Sequence, residues 1–373
     1  MNIGIDIRPL MTAPRTGVGE YAFGLLDAIF NIDRENQYFL FYNSSRDVSA
    51  NIPKWDFPNV KIIGSHIPNK FFNSSLALFG RPRLDRECGA QKIDVWFSPN
   101  LNFTALTDGV KYILTIHDLS FDFFPEFSTC KQYFWHKAVR PKPQCQRANL
   151  IITPSENTRR DIIDYYKISP EKIIVIYPGV HTPKIHVDIK NKYNLPDKYI
   201  LFLGTIEPRK NIIGLIEAFE NLRAKYPIMA HLVIAGASGW KNKEIFARAK
   251  ASNVADKIHF INFVAPEDKA ALYACAEIFV YPSFYEGFGF PILEAMAAGT
   301  PVISSNRSSL PEIAGSAAYL IDPARPEQLT LAMNELINKP SLRAWHVQKG
   351  LEQAKKYSWE KAAREWLNTL KSL

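Results

Sequence analysis

Cysteine is scarce in this chain and shows no paired spacing. Its 373 residues include four, Cys88, Cys130, Cys145 and Cys275, with no CxxC pair among them. That excludes the usual zinc-ribbon and disulfide-framework patterns, so reduced thiols in a reducing compartment are expected. Long uncharged apolar runs are also missing. None approaches the roughly 20 residues needed to span a bilayer, and Asp6 interrupts what would be the apolar core of a signal peptide. A cytoplasmic location follows as an expectation. No DxD pair suited to a divalent metal is present, and Asp85-Arg86-Glu87 reads as a helix surface. The first glycine pair, Gly17-Val18-Gly19, lacks the third glycine of a dinucleotide fingerprint and follows Arg8-Pro9-Leu10 rather than a tight turn, which argues against a nicotinamide site. The net charge of +8 is modest and the basic residues divide evenly between the halves, so no nucleic-acid partner is expected.

What the chain does have is a folded protein's composition, 47% hydrophobic and 22% charged, at a length that suits two cores better than one. Short apolar runs alternate with amphipathic stretches, the pattern of parallel α/β architecture. The spacing predicts strands at Ile3–Ile7, Tyr38–Tyr42, Val95–Ser98, Tyr112–Ile116, Leu150–Thr153 and Ile173–Ile176. The series restarts at Tyr199–Leu203 and continues through His231–Ala235, Ile258–Ile261, Ile278–Tyr281, Val302–Ser304 and Ala318–Ile321. Helices are expected at Glu20–Phe30, at Glu156–Tyr166 behind the N-cap Ser155, and at Ile212–Lys225. Prolines, lysines and weak periodicity over His181–Pro196 mark a linker. The reading is two doubly wound domains, 1–184 and 185–356, with an amphipathic helix in 357–373 packing back on the first.

The most informative stretch is Tyr281-Pro-Ser-Phe-Tyr-Glu286-Gly-Phe-Gly-Phe-Pro-Ile-Leu-Glu294. It sets a carboxylate in a loop, then Gly287 and Gly289, then a helix start, then Glu294 about one turn in. Glycines permit close backbone approach, and free N–H groups at a helix start attract anions. Carboxylates on either side of such a site suit hydroxyl groups flanking a phosphate, as in a nucleotide sugar. Taken singly, Glu294 also reads as a first-turn carboxylate and Glu286 as a solvated loop residue.

Glu207-Pro208-Arg209-Lys210-Asn211 follows one strand and precedes a helix. Two cations at a helix start oppose the macrodipole by about 0.3–1 kcal/mol each at exposed sites, so something should compensate. A bound diphosphate would; pairing with Glu207 is the plainer alternative. His117-Asp118 ends a strand, where an imidazole can meet a substrate hydroxyl or serve the fold, with Asp118 fixing the ring or capping a turn. Thr16-Gly17-Val18-Gly19 opens a helix as either a flexible turn or an anion- or acceptor-facing loop. Asn306–Glu312 follows a strand and is expected along the edge that carries Glu286. Two stretches lack acidic residues. Asn59 to Leu84 contains Lys61, Lys70, Phe71, Phe72, Arg81 and Arg83; Phe127 to Ser155 contains Lys131, Phe134, Trp135, Lys137, Arg140, Lys142 and Arg147. Basic residues beside aromatics suit an anionic membrane surface, or a solvated face over core aromatics.

Read together, TGVGEY, HD at 117–118, TPSENTRRDI, YPGV at 177–180, GTIEPRKN and YPSFYEGFGFPILEAMAAGTPVISSNRSSLPEIAG resemble the retaining glycosyltransferases of family 4, along the whole chain. The resemblance implies an α/β GT-B fold, two doubly wound Rossmann-like domains facing across a cleft. It implies that Glu286 holds the donor sugar, with Gly287, Phe288 and Gly289 near the diphosphate. Glu294 would bind ribose hydroxyls, and Arg209 and Lys210 would neutralise the leaving diphosphate. His117 would contact a sugar hydroxyl. Gly17 and Gly19 would lie where donor phosphate and acceptor meet, and Phe263 and Val264 near the base. No metal or other cofactor is required on this reading. The expected partners are a nucleotide-sugar donor, a glycan or lipid-linked acceptor and an anionic membrane surface on the inner face of the cell membrane. The expected reaction is hexosyl transfer, with mannose from GDP-mannose foremost, in surface-polysaccharide assembly. Rhamnosyl, glucosyl or N-acetylhexosaminyl transfer, and a non-catalytic nucleotide-sugar-binding protein, are the alternatives.

Overall fold

The computed structural model describes residues 1–89, 92–181 and 189–373. The chain divides into two compact units. The first is Met1–Leu119, Cys130–Gly179 and Ser358–Leu373; the second is Ser120–Thr129 and Val180–Tyr357. The sequence reading assigned 120–129 to the first domain, but this segment packs with the second unit. There Trp240 Nε1 donates to the Phe127 carbonyl, and Phe127 stacks on Phe284 at 6.0 Å. The expected boundary at 184/185 lies outside the described residues, as does the 182–188 part of the expected linker. The part of the linker that is described contains a short helix, Ile189–Tyr193, anchored where Lys192 and Tyr193 hydrogen-bond to Asp268 at 2.5 and 2.6 Å.

The first unit is built on a seven-stranded parallel sheet. Its strands are β1 (Asn2–Asp6), β2 (Gln37–Asn43), β3 (Val60–Ser65), β4 (Val95–Ser98), β5 (Lys111–Thr115), β6 (Leu150–Thr153) and β7 (Ile173–Val175), ordered β3-β2-β1-β4-β5-β6-β7. In register, Ile3 lies beside Tyr38 on one side and Val95 on the other. Strand β3 was absent from the sequence reading. None of its residues is buried, being exposed or half-buried at the sheet edge, so it lacks the apolar run that marks the central strands, which are buried on both faces. Helix α1 (Gly17–Ile32) and helix α2 (Asn69–Phe79) follow β1 and β3. Asp85, expected on a helix surface, is buried and accepts from the Thr107 amide at 2.7 Å.

The second unit has six parallel strands, β8 (Tyr199–Leu203), β9 (His231–Ala235), β10 (Ile258–Ile261), β11 (Ile278–Tyr281), β12 (Val302–Ser305) and β13 (Ala318–Ile321), ordered β10-β9-β8-β11-β12-β13. Helix α3 (Ile212–Lys225) follows β8 and helix α4 (Phe290–Ala297) follows β11. Helix α5 (Trp359–Thr369), capped by Ser358, belongs to the first unit and packs on α1. The contact is close: a Cβ at Gly24 would lie 2.3 Å from the Trp359 indole. Trp366 is fully buried against Phe97. The amphipathic face read from 357–366 is therefore covered by these aromatics and α1.

In both sheets the strand order reverses once. Strands β1, β2 and β3 grow one way and β4 starts on the other side of β1; β8, β9 and β10 do the same before β11 starts beside β8. Ligands of doubly wound sheets sit at such reversals, beyond the carboxyl ends of the strands.

Candidate active site

The reversal in the second sheet holds a buried cluster of charges. After β8 the chain makes a one-turn 3-10 helix, Pro208–Lys210, and Asn211 turns left-handed before α3 begins. After β11 it runs through Ser283 to Gly289. The two loops are joined by the Phe284 amide, which donates to the Arg209 carbonyl at 3.0 Å. Arg209 donates to Glu207 Oε1 at 2.6 Å, Glu286 Oε2 at 2.9 Å and the Tyr285 carbonyl at 2.7 Å. Lys210 Nζ donates to Glu286 Oε1 at 2.5 Å and to the Tyr281 hydroxyl at 2.7 Å. Glu207, Lys210 and Glu286 are all buried.

The compensation that the two adjacent cations call for is thus supplied inside the unit, by Glu207 and Glu286 together. Burial alone would raise the Glu286 pKa, but Arg209 and Lys210 outweigh it and bring it to about 2. Burial lowers the Lys210 pKa, and the neighbouring Arg209 charge lowers it further. The two partners do not shift as mirror images. Glu286 faces two cations, whereas Lys210 faces a cation as well as its carboxylates. We assign Glu286 as ionised.

The glycine loop is braced from the next strand. Beyond β12, Ser308 Oγ accepts from the Glu286 amide at 2.9 Å, and buried Ser309 Oγ lies 2.8 and 3.1 Å from the carbonyls of Glu286 and Phe288. Gly289 has φ 101°, and a Cβ there would meet Leu310 Cδ2 at 2.6 Å. A side chain is refused on both counts. Helix α4 then starts at Phe290, with Pro291 within the first turn. Glu294 lies outside the charge cluster. It accepts from the Tyr273 hydroxyl at 2.9 Å and has Lys269 at 3.9 Å. Phe288 is buried; in the loop after β10, Phe263 is exposed and Val264 buried.

His117, Gly17 and Gly19 belong to the first unit. His117 Nε2 lies 2.9 Å from the Pro99 carbonyl. A carbonyl only accepts, so Nε2 carries the proton and Nδ1 keeps its lone pair. Burial lowers the ring's pKa. Tyr21 of α1 packs edge-on against the imidazole at 4.7 Å. Gly17 is exposed, and a Cβ there would meet nothing within 4 Å; Gly19 is buried, with Arg15 and the Pro9 carbonyl 3.2 and 3.3 Å from its would-be Cβ. Gly17 therefore leaves open space, while Gly19 serves packing. Sequence reasoning did not single out Tyr281, Tyr273, Ser308 or Ser309 as supports. The serines stood in the Asn306–Glu312 stretch assigned to this edge; Tyr281 gave no signal apart from strand hydrophobicity, and Tyr273, in the helix Pro266–Ala274, gave none. Among the described residues no group of three or more His, Cys, Asp or Glu is arranged to hold a metal.

A family model described as Glycosyltransferase Family 4 matches residues 17–184, and one described as Glycosyl transferases group 1 matches 186–353. Over 277 residues the chain is 34% identical to O-antigen chain mannosyltransferase B of Escherichia coli, covering 70% of each protein. It is 31% identical over 228 residues to serotype-specific mannosyltransferase WbdA of Escherichia coli, covering 58% of this chain and 28% of that one. Among solved structures, sucrose-phosphate synthase from Thermosynechococcus elongatus superposes with a TM-score of 0.76 at 19% identity, over 100% of this chain and 98% of that one. Anabaena HepE in complex with UDP and glucose gives 0.71 at 16% identity, over the whole of both chains. The chain belongs to glycosyltransferase family 4. Its fold is GT-B, and it is a hexosyltransferase of the mannosyltransferase-like kind.

Proposed function

We propose that this enzyme is a retaining, metal-independent transferase that moves mannose from GDP-mannose to a glycan or lipid-linked acceptor in surface-polysaccharide assembly, O-antigen among them. The observation that carries the reading is the buried Glu207–Arg209–Lys210–Glu286 cluster at the reversal of the second sheet. The names of the curated relatives support mannose and O-antigen. The UDP and glucose in HepE support a nucleotide-sugar donor for the fold.

On this reading, breaking the glycosyl–phosphate bond puts negative charge on the departing diphosphate. Arg209 and Lys210 are already desolvated and aligned, so they stabilise that charge without reorganising solvent. As the diphosphate takes up the two cations, Glu286 is released from them and turns to the donor sugar's hydroxyls. The N–H groups of Gly287–Gly289 face the phosphates, and Glu294 takes the ribose hydroxyls. Phe263 and Val264 lie by the base, Gly17 and Gly19 where donor phosphate and acceptor meet. His117, protonated at Nε2, offers Nδ1 as acceptor to a sugar hydroxyl. The acceptor hydroxyl attacks the anomeric carbon from the leaving-group face as the bond to the diphosphate breaks, which gives retention, and its proton passes to the departing diphosphate oxygen.

Peripheral attachment to an anionic membrane belongs to the same proposal. On α2, Phe71, Leu78 and Phe79 are 71, 75 and 75% exposed, with Lys70, Arg81 and Arg83 close in sequence. The helix Cys130–Val139 exposes Phe134 among Lys131 and Lys137. Phe72, grouped with the surface aromatics in the sequence reading, is buried in the core. No helix among the described residues is long and apolar enough to cross a membrane.

The test is product analysis by mass spectrometry and anomeric-proton NMR, with a panel of nucleotide sugars and lipid-linked acceptors, with and without EDTA. Transfer from GDP-mannose with retained configuration and full activity in EDTA is expected. No preference for GDP-mannose, inverted product or EDTA-sensitive turnover would each remove the corresponding part. For the membrane part, binding to vesicles containing anionic lipid at low salt is expected to fall when Phe71 and Phe79 become Ser. Equal partition with and without anionic lipid counts against it.

A further inference from the structure

The loop after β10 is pinned at both ends, and the two pins differ in kind. At its start the Gly236 amide, just beyond β9, donates to the carbonyls of Ile261 and Asn262 at 3.1 and 3.3 Å. At its far end the Ala265 amide donates to the Tyr193 hydroxyl at 3.3 Å. Tyr193 ends the short helix Ile189–Tyr193 before β8, 72 residues away in sequence. Its hydroxyl in turn donates to Asp268 Oδ2 at 2.6 Å, where Lys192 Nζ also arrives at 2.5 Å. Asp268 is buried, and the hydrogen bonds from Lys192 and Tyr193 hold its carboxyl below the ordinary pKa. An ionised carboxylate only accepts, so the Tyr193 proton points to Asp268 and the hydroxyl's lone pairs are left for Ala265.

Ala265 is the N-cap of the helix Pro266–Ala274 and offers no side-chain cap; Asp268 is the third residue of that helix. In a capping box the third residue is a Glu or Gln that reaches back to the N-cap N–H. Asp is one methylene shorter, and here the Tyr193 hydroxyl spans the difference. The helix start is thus completed by a residue from outside it. This helix carries Lys269 and Tyr273, which both approach Glu294, and the loop before it carries Phe263 and Val264. On the donor reading above, Glu294 meets the ribose and the loop meets the base, so one anchor positions both. The cations read as holding the diphosphate, Arg209 and Lys210, stand in the loop after β8, outside this segment. We propose that Tyr193 is a positioning residue for the donor nucleotide: set by Asp268 and Lys192, its hydroxyl fixes the loop and helix that serve base and ribose, and leaves the grip on the diphosphate alone. The proposal rests on the donor reading and adds to it a residue outside every motif quoted for the family.

The experiment is titration calorimetry on the full chain with GDP, UDP and inorganic pyrophosphate. It compares the wild type, Tyr193→Phe, and Tyr193→Phe combined with Asp268→Glu. For whichever nucleotide the wild type binds more tightly, Tyr193→Phe is expected to weaken binding about fivefold, the size of one net hydrogen bond, with pyrophosphate affinity unchanged. The substituted glutamate is long enough to reach the Ala265 N–H directly, so the double variant is expected to recover most of the nucleotide affinity. A general structural defect would weaken nucleotide and pyrophosphate equally; that result would overturn the proposal. So would unchanged nucleotide affinity in Tyr193→Phe, or no recovery on adding Asp268→Glu. Tighter binding of UDP than of GDP by the wild type would instead strike the GDP-mannose reading and leave the Tyr193 anchor standing, whereas a wild type that binds neither nucleotide would overturn both.

Discussion

Both sheets reverse their strand order at one place, and the two reversals carry opposite chemistry. Beside β8 and β11, three buried charged side chains, Glu207, Lys210 and Glu286, and the half-buried Arg209 are in contact with one another, each holding the next. Beside β1 and β4, the buried ion pair of Asp6 and Arg8 is surrounded by asparagine amides, those of Asn73 and Asn100 without partners among the described residues. The backbone supplies a crevice in each case; residue type decides what the crevice can take. A buried charge cluster is preorganised for a ligand that is itself charged, but it ties the site to the stability of the fold, because no member can be removed without stranding another. An amide pocket binds more weakly per contact and can be emptied at little structural cost. The difference predicts that mutations at the two reversals act on different observables.

The largest effect is expected from Glu286→Ala. It leaves Lys210 and one arm of Arg209 buried without their carboxylate, so thermal or denaturant unfolding should show a loss of about 3–5 kcal/mol, together with at least a hundredfold fall in turnover. Wild-type stability in this variant would mean that water replaces the carboxylate freely and that the cluster is not sealed. The pH dependence is the next largest. The folded Glu286 pKa, about 2, lies below its ordinary 4.5. The stabilisation is therefore fully present above the unfolded value and is lost as pH falls from there through about 2. The stability gap between wild type and Glu286→Gln should close over that interval, by about 3 kcal/mol in all. A gap independent of pH would break the assignment of Glu286 as the ionised member.

How far each reversal could be read from the sequence also differs. The second was legible because its residues are close in sequence and unusual in kind: adjacent Arg209 and Lys210, and Glu286 before two glycines. What spacing could not show was that Glu286 itself closes the gap between the cations, since the β8 and β11 loops are more than 70 residues apart and meet only through the strand order. Spacing offered a diphosphate or Glu207 as the compensating charge, and of the two carboxylates that meet the cations it named only Glu207. The first reversal was nearly invisible. Asn43 ends β2, Asn73 lies within α2 and Asn100 is in the loop after β4; they are far apart in sequence, and only the fold collects them. Twelve strands were legible as apolar runs; β3 was not, because an edge strand with a wet face has no such run.

A smaller effect sharpens the same comparison from within the charged site. Ser309→Ala removes the hydroxyl shared by the Glu286 and Phe288 carbonyls and touches no charge. A loss of about 1 kcal/mol is expected, with KM for the donor raised more than kcat is lowered, because the glycine loop loosens while the cations stay in place. An unchanged donor KM would show that the loop is held by Gly289 and Ser308 alone.

The smallest expected effect is the most discriminating. Asn73→Ala with Asn100→Ala should leave unfolding free energy within about 0.5 kcal/mol of wild type, the usual range for substitutions that break no buried contact. A drop of 2 kcal/mol or more would mean that the asparagines are satisfied by partners inside the fold, and the contrast between the two reversals would collapse. If stability holds, the amide pocket is a surface kept polar at no benefit to folding.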